Sequence, residues 1–199
     1  MKSLRVKITL IEPILGSSPS NKEIFSDFIA SQSPDAMTRE EEIEAIGVQA
    51  VGEKGTTIFP RLEDGTPFLW DYQVRGFFKS ACDALNMAEP SKKLTAYKKK
   101  IDKLVFIRER KIPYNVPKDS EIEYLQRPLR GQTAQGERVA LAKSEMLPSG
   151  TTAEFEIFTL QDDLLNRIKD WLDYGKLNGL GQWRNGSYGR FEWEEAKVQ

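Results

Sequence analysis

The chain has no histidine and only one cysteine, Cys82, among its 199 residues. Each shortage closes off chemistry. Without histidine the commonest general base and the commonest zinc ligand are missing. A Cys/His zinc site and the usual Ser–His or Cys–His nucleophile pairs are excluded, so catalysis would fall to carboxylates, Lys, Tyr or a hard metal ion. A single cysteine rules out an intrachain disulfide and points to a reducing compartment. No stretch approaches the roughly 20 apolar residues of a membrane helix. The first ten residues lack the apolar core and small-residue cleavage site of a signal peptide. The expectation is a cytoplasmic protein without a membrane partner. Charge of one sign is also lacking. With 29 basic and 30 acidic residues the net charge is −1, so only local clustering can attract an anionic partner.

What is present suits one α+β domain spanning residues 1–199. Hydrophobic residues make up 39% of the chain, enough for a core and too many for wholesale disorder. Leu4, Val6, Ile8 and Leu10 alternate with polar residues, which predicts a half-buried first strand. Residues 16–57 read as a helical insertion after it, with capping boxes at Ser20/Glu23 and Thr38/Glu41. Asp64-Gly65 signals a hairpin turn. Phe68–Trp70 predicts a short strand, with Asp71 as N-cap of a helix. That helix carries Val74, Phe77, Phe78, Ala81, Cys82 and Leu85 on one face, which places Cys82 in the core.

Residues 92–111 are basic, with Leu94, Tyr97, Ile101 and Leu104 as an apolar stripe. Leu104–Ile107 reads as a strand, followed by an irregular segment around Pro113 and Pro117. A β-hairpin is expected over Glu137–Thr159, turning at Pro148-Ser149-Gly150. Leu164, Leu165, Ile168, Trp171 and Leu172 predict a second long helix, with Asp162 and Asp163 in its first turn. Phe191 and Trp193 mark a last strand. Strands interspersed with two long helices imply a ferredoxin-like (RRM-like) antiparallel sheet with helices on one face.

Between the last helix and the last strand lies a glycine-rich loop, Gly179 to Arg190. Gly179, Gly181, Gly186 and Gly189 permit positive φ and close backbone approach. Backbone N–H groups in such loops form anion-binding nests. Arg184 and Arg190 add positive charge, and Trp183 and Tyr188 offer faces for unpaired bases. No Gly-Lys-Ser/Thr follows, so the loop is not a P-loop. A tight helix-to-strand connection accounts equally well for the glycines alone.

This loop, after an amphipathic helix and before a final strand, resembles the C-terminal loop of the RAMP superfamily, the RNA-binding subunits of CRISPR effector complexes. Asp64 to Lys79 resembles the family's strand and following helix. Glu145 to Thr151, continuing to Phe155 and Ile157, resembles the hairpin before its last helix. Where the family's turn usually holds glycine and serine, this chain has Trp70-Asp71-Tyr72-Gln73. The chain also resembles prophage and mobile-element proteins of Gram-positive bacteria. The first resemblance implies a protein that binds single-stranded RNA (or DNA); with no acid–base constellation and no converging carboxylates in the sequence, it is expected to be non-catalytic, with no cofactor and no metal. It also implies self-assembly or membership of a CRISPR-type complex.

Further nucleic-acid contacts are expected from Arg127 and Arg130, whose planar forks suit phosphate, and from Arg75 and Lys79 near a helix start. Pairing with acidic neighbours is the alternative for Arg75 and Lys79. Two other functions stay open. One is a phage counter-defence protein that mimics a CRISPR subunit. The other is a histidine-free or metal-dependent endoribonuclease, for which Asp35 is the only carboxylate singled out.

Overall fold

Alternation in the first strand sets the core. In β1 (Lys2–Leu10), Leu4, Val6, Ile8 and Leu10 are each at most 2% exposed. The structure, a computed structural model, describes residues 2–19, 56–133 and 136–196. Most of the expected insertion, including both capping boxes and Asp35, lies outside the described residues.

The chain forms two compact units, 1–14 with 60–121 and 147–199, and 15–59 with 122–146. Strands β2 (Ile14–Leu15), β3 (Ser18–Pro19) and β4 (Thr57–Ile58) precede β5 (Phe68–Trp70) and helix α1 (Asp71–Ala88). Helix α2 (Tyr97–Leu104) then leads into β6 (Val105–Ile107) and β7 (Lys111–Asn115). After β8 (Glu123–Thr133) and β9 (Gly136–Leu147) come β10 (Thr152–Thr159), α3 (Asp163–Asp173) and β11 (Phe191–Glu195).

The first unit holds a six-stranded sheet in the order β11-β1-β10-β7-β5, with β6 also on β10. β1 runs antiparallel to β10, from Lys2 opposite Thr159 to Thr9 opposite Thr152, and antiparallel to β11 on its other side. β6 and β7 pair with the two ends of β10 and act as one bulged strand. At the bulge the Glu109 carboxylate accepts the Glu156 N–H at 2.8 Å, standing in for a ladder bond. The connections β1–α1–β6/β7 and β10–α3–β11 each skip over a strand. This is the split βαβ pattern of the ferredoxin-like fold.

The helices bury one face of this sheet. Phe78 of α1 lies 5.7 Å from Trp171 of α3, and Phe77 lies 5.2 Å from Phe191. Cys82 is buried there as a free thiol, its pKa pushed up by desolvation.

Three local expectations are corrected. The segment around Pro113 is strand β7, with Ile112 and Tyr114 buried in alternation. The hairpin expected over Glu137–Thr159 does not form. Its second arm, β10, pairs with β1, while its first arm, β9, pairs with β8 along its whole length. Gln126 to Gln132, the segment before the expected hairpin that carries Arg127 and Arg130, lies in β8. Finally, Asp71 is the first residue of α1 and not its cap. Trp70 occupies the cap position, and Gln73 Oε1 accepts the Trp70 N–H at 3.0 Å.

The second unit is built on the β8–β9 ribbon, with a sheet order of β2-β9-β4-β3. Thr57 donates its hydroxyl to Ser144 at 2.9 Å, and the buried Glu145 carboxylate accepts the Phe59 N–H at 2.7 Å.

Candidate nucleic-acid interface

The glycine loop is built on a closed base. Gly175, just past α3, packs against the Phe191 ring, leaving no room for a side chain. Gly179 and Gly189 then meet backbone to backbone, and Leu180 N–H donates to the Gly189 carbonyl at 2.9 Å. Gly189 N–H donates to Pro13 at 2.8 Å and Ile11 N–H to Arg190 at 2.9 Å, tying the loop to the end of β1. Leu180 is buried beneath it. Close approach is thus the use made of the outer glycines. Gly181 and Gly189 also take positive φ.

The tip is Trp183 to Ser187, a single 3₁₀ turn. Trp183 (φ 51°) and Ser187 (φ 68°) sit in the left-handed region, which side chains disfavour. The Gly186 and Ser187 N–H groups donate back to Trp183 and Arg184. With those of Leu180 and Gly189 also engaged, the latter by the Pro13 carbonyl, all four amides are taken up by backbone and none of the four lines a nest. The Trp183 and Tyr188 rings stack on each other at 5.2 Å and 14°. One face of each ring is spent on the other, and Trp183 remains 45% exposed. Arg184 has no ion-pair partner among the described residues. Arg190 does, donating to Glu12 at 2.8 Å.

The other expected residues are more dispersed. Arg75 pairs with Asp71 at 2.9 Å and Lys79 with Asp102 at 2.6 Å, so both cations are neutralised locally. Arg127 and Arg130 lie in the second unit, on β8 opposite Ala142 and Val139. Three residues apart on one strand, the two positions belong to opposite faces of the ribbon.

The open face of the first unit's sheet is a lattice of paired charges. Arg5 meets Glu154 at 3.8 Å, Lys7 meets Glu194 at 3.2 Å, and Arg108 meets Glu156 at 2.8 Å. The Arg108 hydrogen bond holds the Glu156 carboxyl below its ordinary pKa. Self-neutralised in this way, the face offers little to a polyanion. On the helical side, a cleft of about 380 Å³ between α1 and α3 is lined by Cys82, Asn86, Arg167, Asp170 and Trp171. Arg167 donates across to the Lys92 carbonyl at 2.9 Å.

One cluster escaped the sequence reading. Phe68, Trp70 and Tyr72 gather at the start of α1, and Arg110 and Lys111 of the β6–β7 strand lie over the Trp70 and Phe68 rings. The pairing of Trp70 with Lys111 across β5 and β7 brings them together. The aromatic residues at 68, 70 and 72 were visible in the sequence, but their proximity to the basic run at 108–111 was not.

No protein-family model matches the sequence, and no curated protein matches it. The fold does have solved counterparts. A chain in a cryo-EM structure of the Type III-B Cmr-β complex bound to cognate target RNA matches with a TM-score of 0.51 at 13% identity. The match covers 100% of this chain and 60% of that one, so this chain spans about three-fifths of its counterpart's length. A chain of a Type IV-B CRISPR complex aligns with a TM-score of 0.49 at 10% identity, covering 99% of this chain and 91% of that one. The first of these shows that the chain shares its fold with a chain of the RNA-bound Cmr-β structure. No helix among the described residues is long and apolar enough to cross a membrane.

Proposed function

We propose that this protein is a non-catalytic single-stranded nucleic-acid-binding protein, with RNA as its polymer, acting as a subunit of a CRISPR-type assembly in the cytoplasm. The observation that carries the reading is the tip of the glycine loop. Trp183 is held half exposed in a left-handed conformation on a rigid base, beside an Arg184 that has no ion-pair partner among the described residues. Strain of this kind persists where the surrounding structure enforces it, and it concentrates at functional sites. A base extending the Trp183–Tyr188 stack, with its phosphate on Arg184, uses both features. The fold likeness to a chain from an RNA-bound complex supports the same reading.

Fluorescence polarisation of the purified protein with labelled oligouridine and a duplex of equal length, across a salt series, tests it. The expected result is preference for the single strand, with affinity falling as salt rises. Equal or absent binding to both probes overturns the reading. Co-purification with an effector complex free of nucleic acid would favour the subunit-mimic alternative.

A further inference from the structure

The ring cluster at the start of α1 is poorly explained by local stability. A helix N-cap favours Ser, Thr, Asp or Asn, whose side-chain oxygen takes a free N–H. Trp70 has no such oxygen. Tyr72, two residues on, is 57% exposed. It stacks on Trp70 at 6.2 Å and 18°, and Trp70 meets Phe68 edge-on at 4.8 Å. Desolvation, then the Asp71 charge, pushes the Tyr72 phenol above its ordinary pKa, so it is neutral at physiological pH.

The cations here also behave differently from their neighbours. Arg75, Lys79, Arg108 and Arg190 each hold a carboxylate. Arg110 and Lys111 hold none among the described residues. The Arg110 guanidinium lies 5.8 Å from the Trp70 ring centre, and Lys111 Nζ lies 5.4 Å from that of Phe68. Both are exposed. An exposed ring backed by a second ring, with cations on that second ring that pair with no carboxylate among the described residues, suits an unpaired base and its flanking phosphates.

We propose that Tyr72, backed by the Trp70 ring over which Arg110 and Lys111 lie, is a second base-stacking site for single-stranded nucleic acid, separate from the glycine loop. The proposal rests on the nucleic-acid-binding reading above. Tyr72 carries the base, and the two cations carry the phosphates.

The test titrates the full chain, Tyr72→Ala, Tyr72→Phe and the double variant Arg110→Ala/Lys111→Ala against two labelled oligomers. One is oligouridine of about twelve nucleotides, and the other is an abasic strand of the same length. Tyr72→Ala is expected to weaken oligouridine binding by roughly fivefold or more and to leave the abasic strand unaffected. Tyr72→Phe keeps the ring and wild-type affinity. The double variant weakens both oligomers and flattens the salt slope by about 0.7 per cation lost.

Unchanged oligouridine binding by Tyr72→Ala, with the unaltered protein still binding, overturns this site and leaves the loop reading intact. The rings would then serve a protein contact, where Trp, Tyr and Arg are also enriched. Equal loss on both strands also overturns it, because stacking needs a base. Absence of binding by the unaltered protein overturns both readings.

Discussion

Gly179 and Gly189 lie backbone against backbone at the neck of the C-terminal loop. A Cβ on Gly179 would overlap the Gly189 carbonyl, and one on Gly189 would overlap that of Leu180. Backbone atoms cannot yield as a flexible side chain does. Gly179→Ala is therefore expected to lower stability by about 1–3 kcal/mol, the usual cost of overpacking. Urea denaturation followed by tryptophan fluorescence measures it.

Gly76 is the contrasting case. It is exposed in the middle of α1 with open space where a Cβ would go. Gly76→Ala is expected to stabilise the protein by about 0.5–1 kcal/mol through helix propensity. A fall in the denaturation midpoint would show that this position is constrained in some other way.

The α1–α3 contact is the centre of the core. Phe78 is fully buried against Trp171. Phe78→Ala removes apolar burial and leaves a cavity, at a cost of about 3–5 kcal/mol. The same denaturation series checks it.

Tyr114 gives the alkaline limit of stability. Its phenol is fully buried, and desolvation raises its pKa above the ordinary value of about 10. The unfolded chain then loses this proton first. The contribution is present in full below the unfolded pKa and is lost as pH rises towards the folded one. Unfolding free energy is expected to fall above about pH 10, by at most about 1.4 kcal/mol per pH unit from this group. Tyr114→Phe should flatten that decline.

The elements that were legible in the sequence share one property, a buried face with a clear period. β1, α1, α3 and β11 all show it, and all formed where expected. β8 has no such face. Gln126-Arg127-Pro128-Leu129-Arg130 does not alternate, and its strand character comes from pairing with β9. The turn at Pro148-Ser149-Gly150 suggested that β9 and β10 pair, but β1 pairs with β10 along its whole length. Within the site, the glycine spacing was readable. The Arg190–Glu12 pair was not, because the two residues are 178 positions apart. Nor was the Trp183–Tyr188 stack, which depends on the left-handed turn at Trp183.

The Arg190–Glu12 pair separates two arginines that look alike in sequence. Arg190 has its charge committed and sits at the loop's base. Arg190→Ala is expected to cost up to about 1 kcal/mol of stability and to leave the salt slope of binding unchanged. Arg184→Ala should leave stability unchanged and lower that slope by about 0.7. Parallel melting and salt-dependent binding curves distinguish the two.

The most direct test of the central claim is polarisation titration of Trp183→Ala/Arg184→Ala against labelled oligouridine, beside the unaltered protein. The account predicts an intact melting transition with affinity weakened by about 1–3 kcal/mol for the lost stacking alone. An intact fold with unchanged affinity would contradict it.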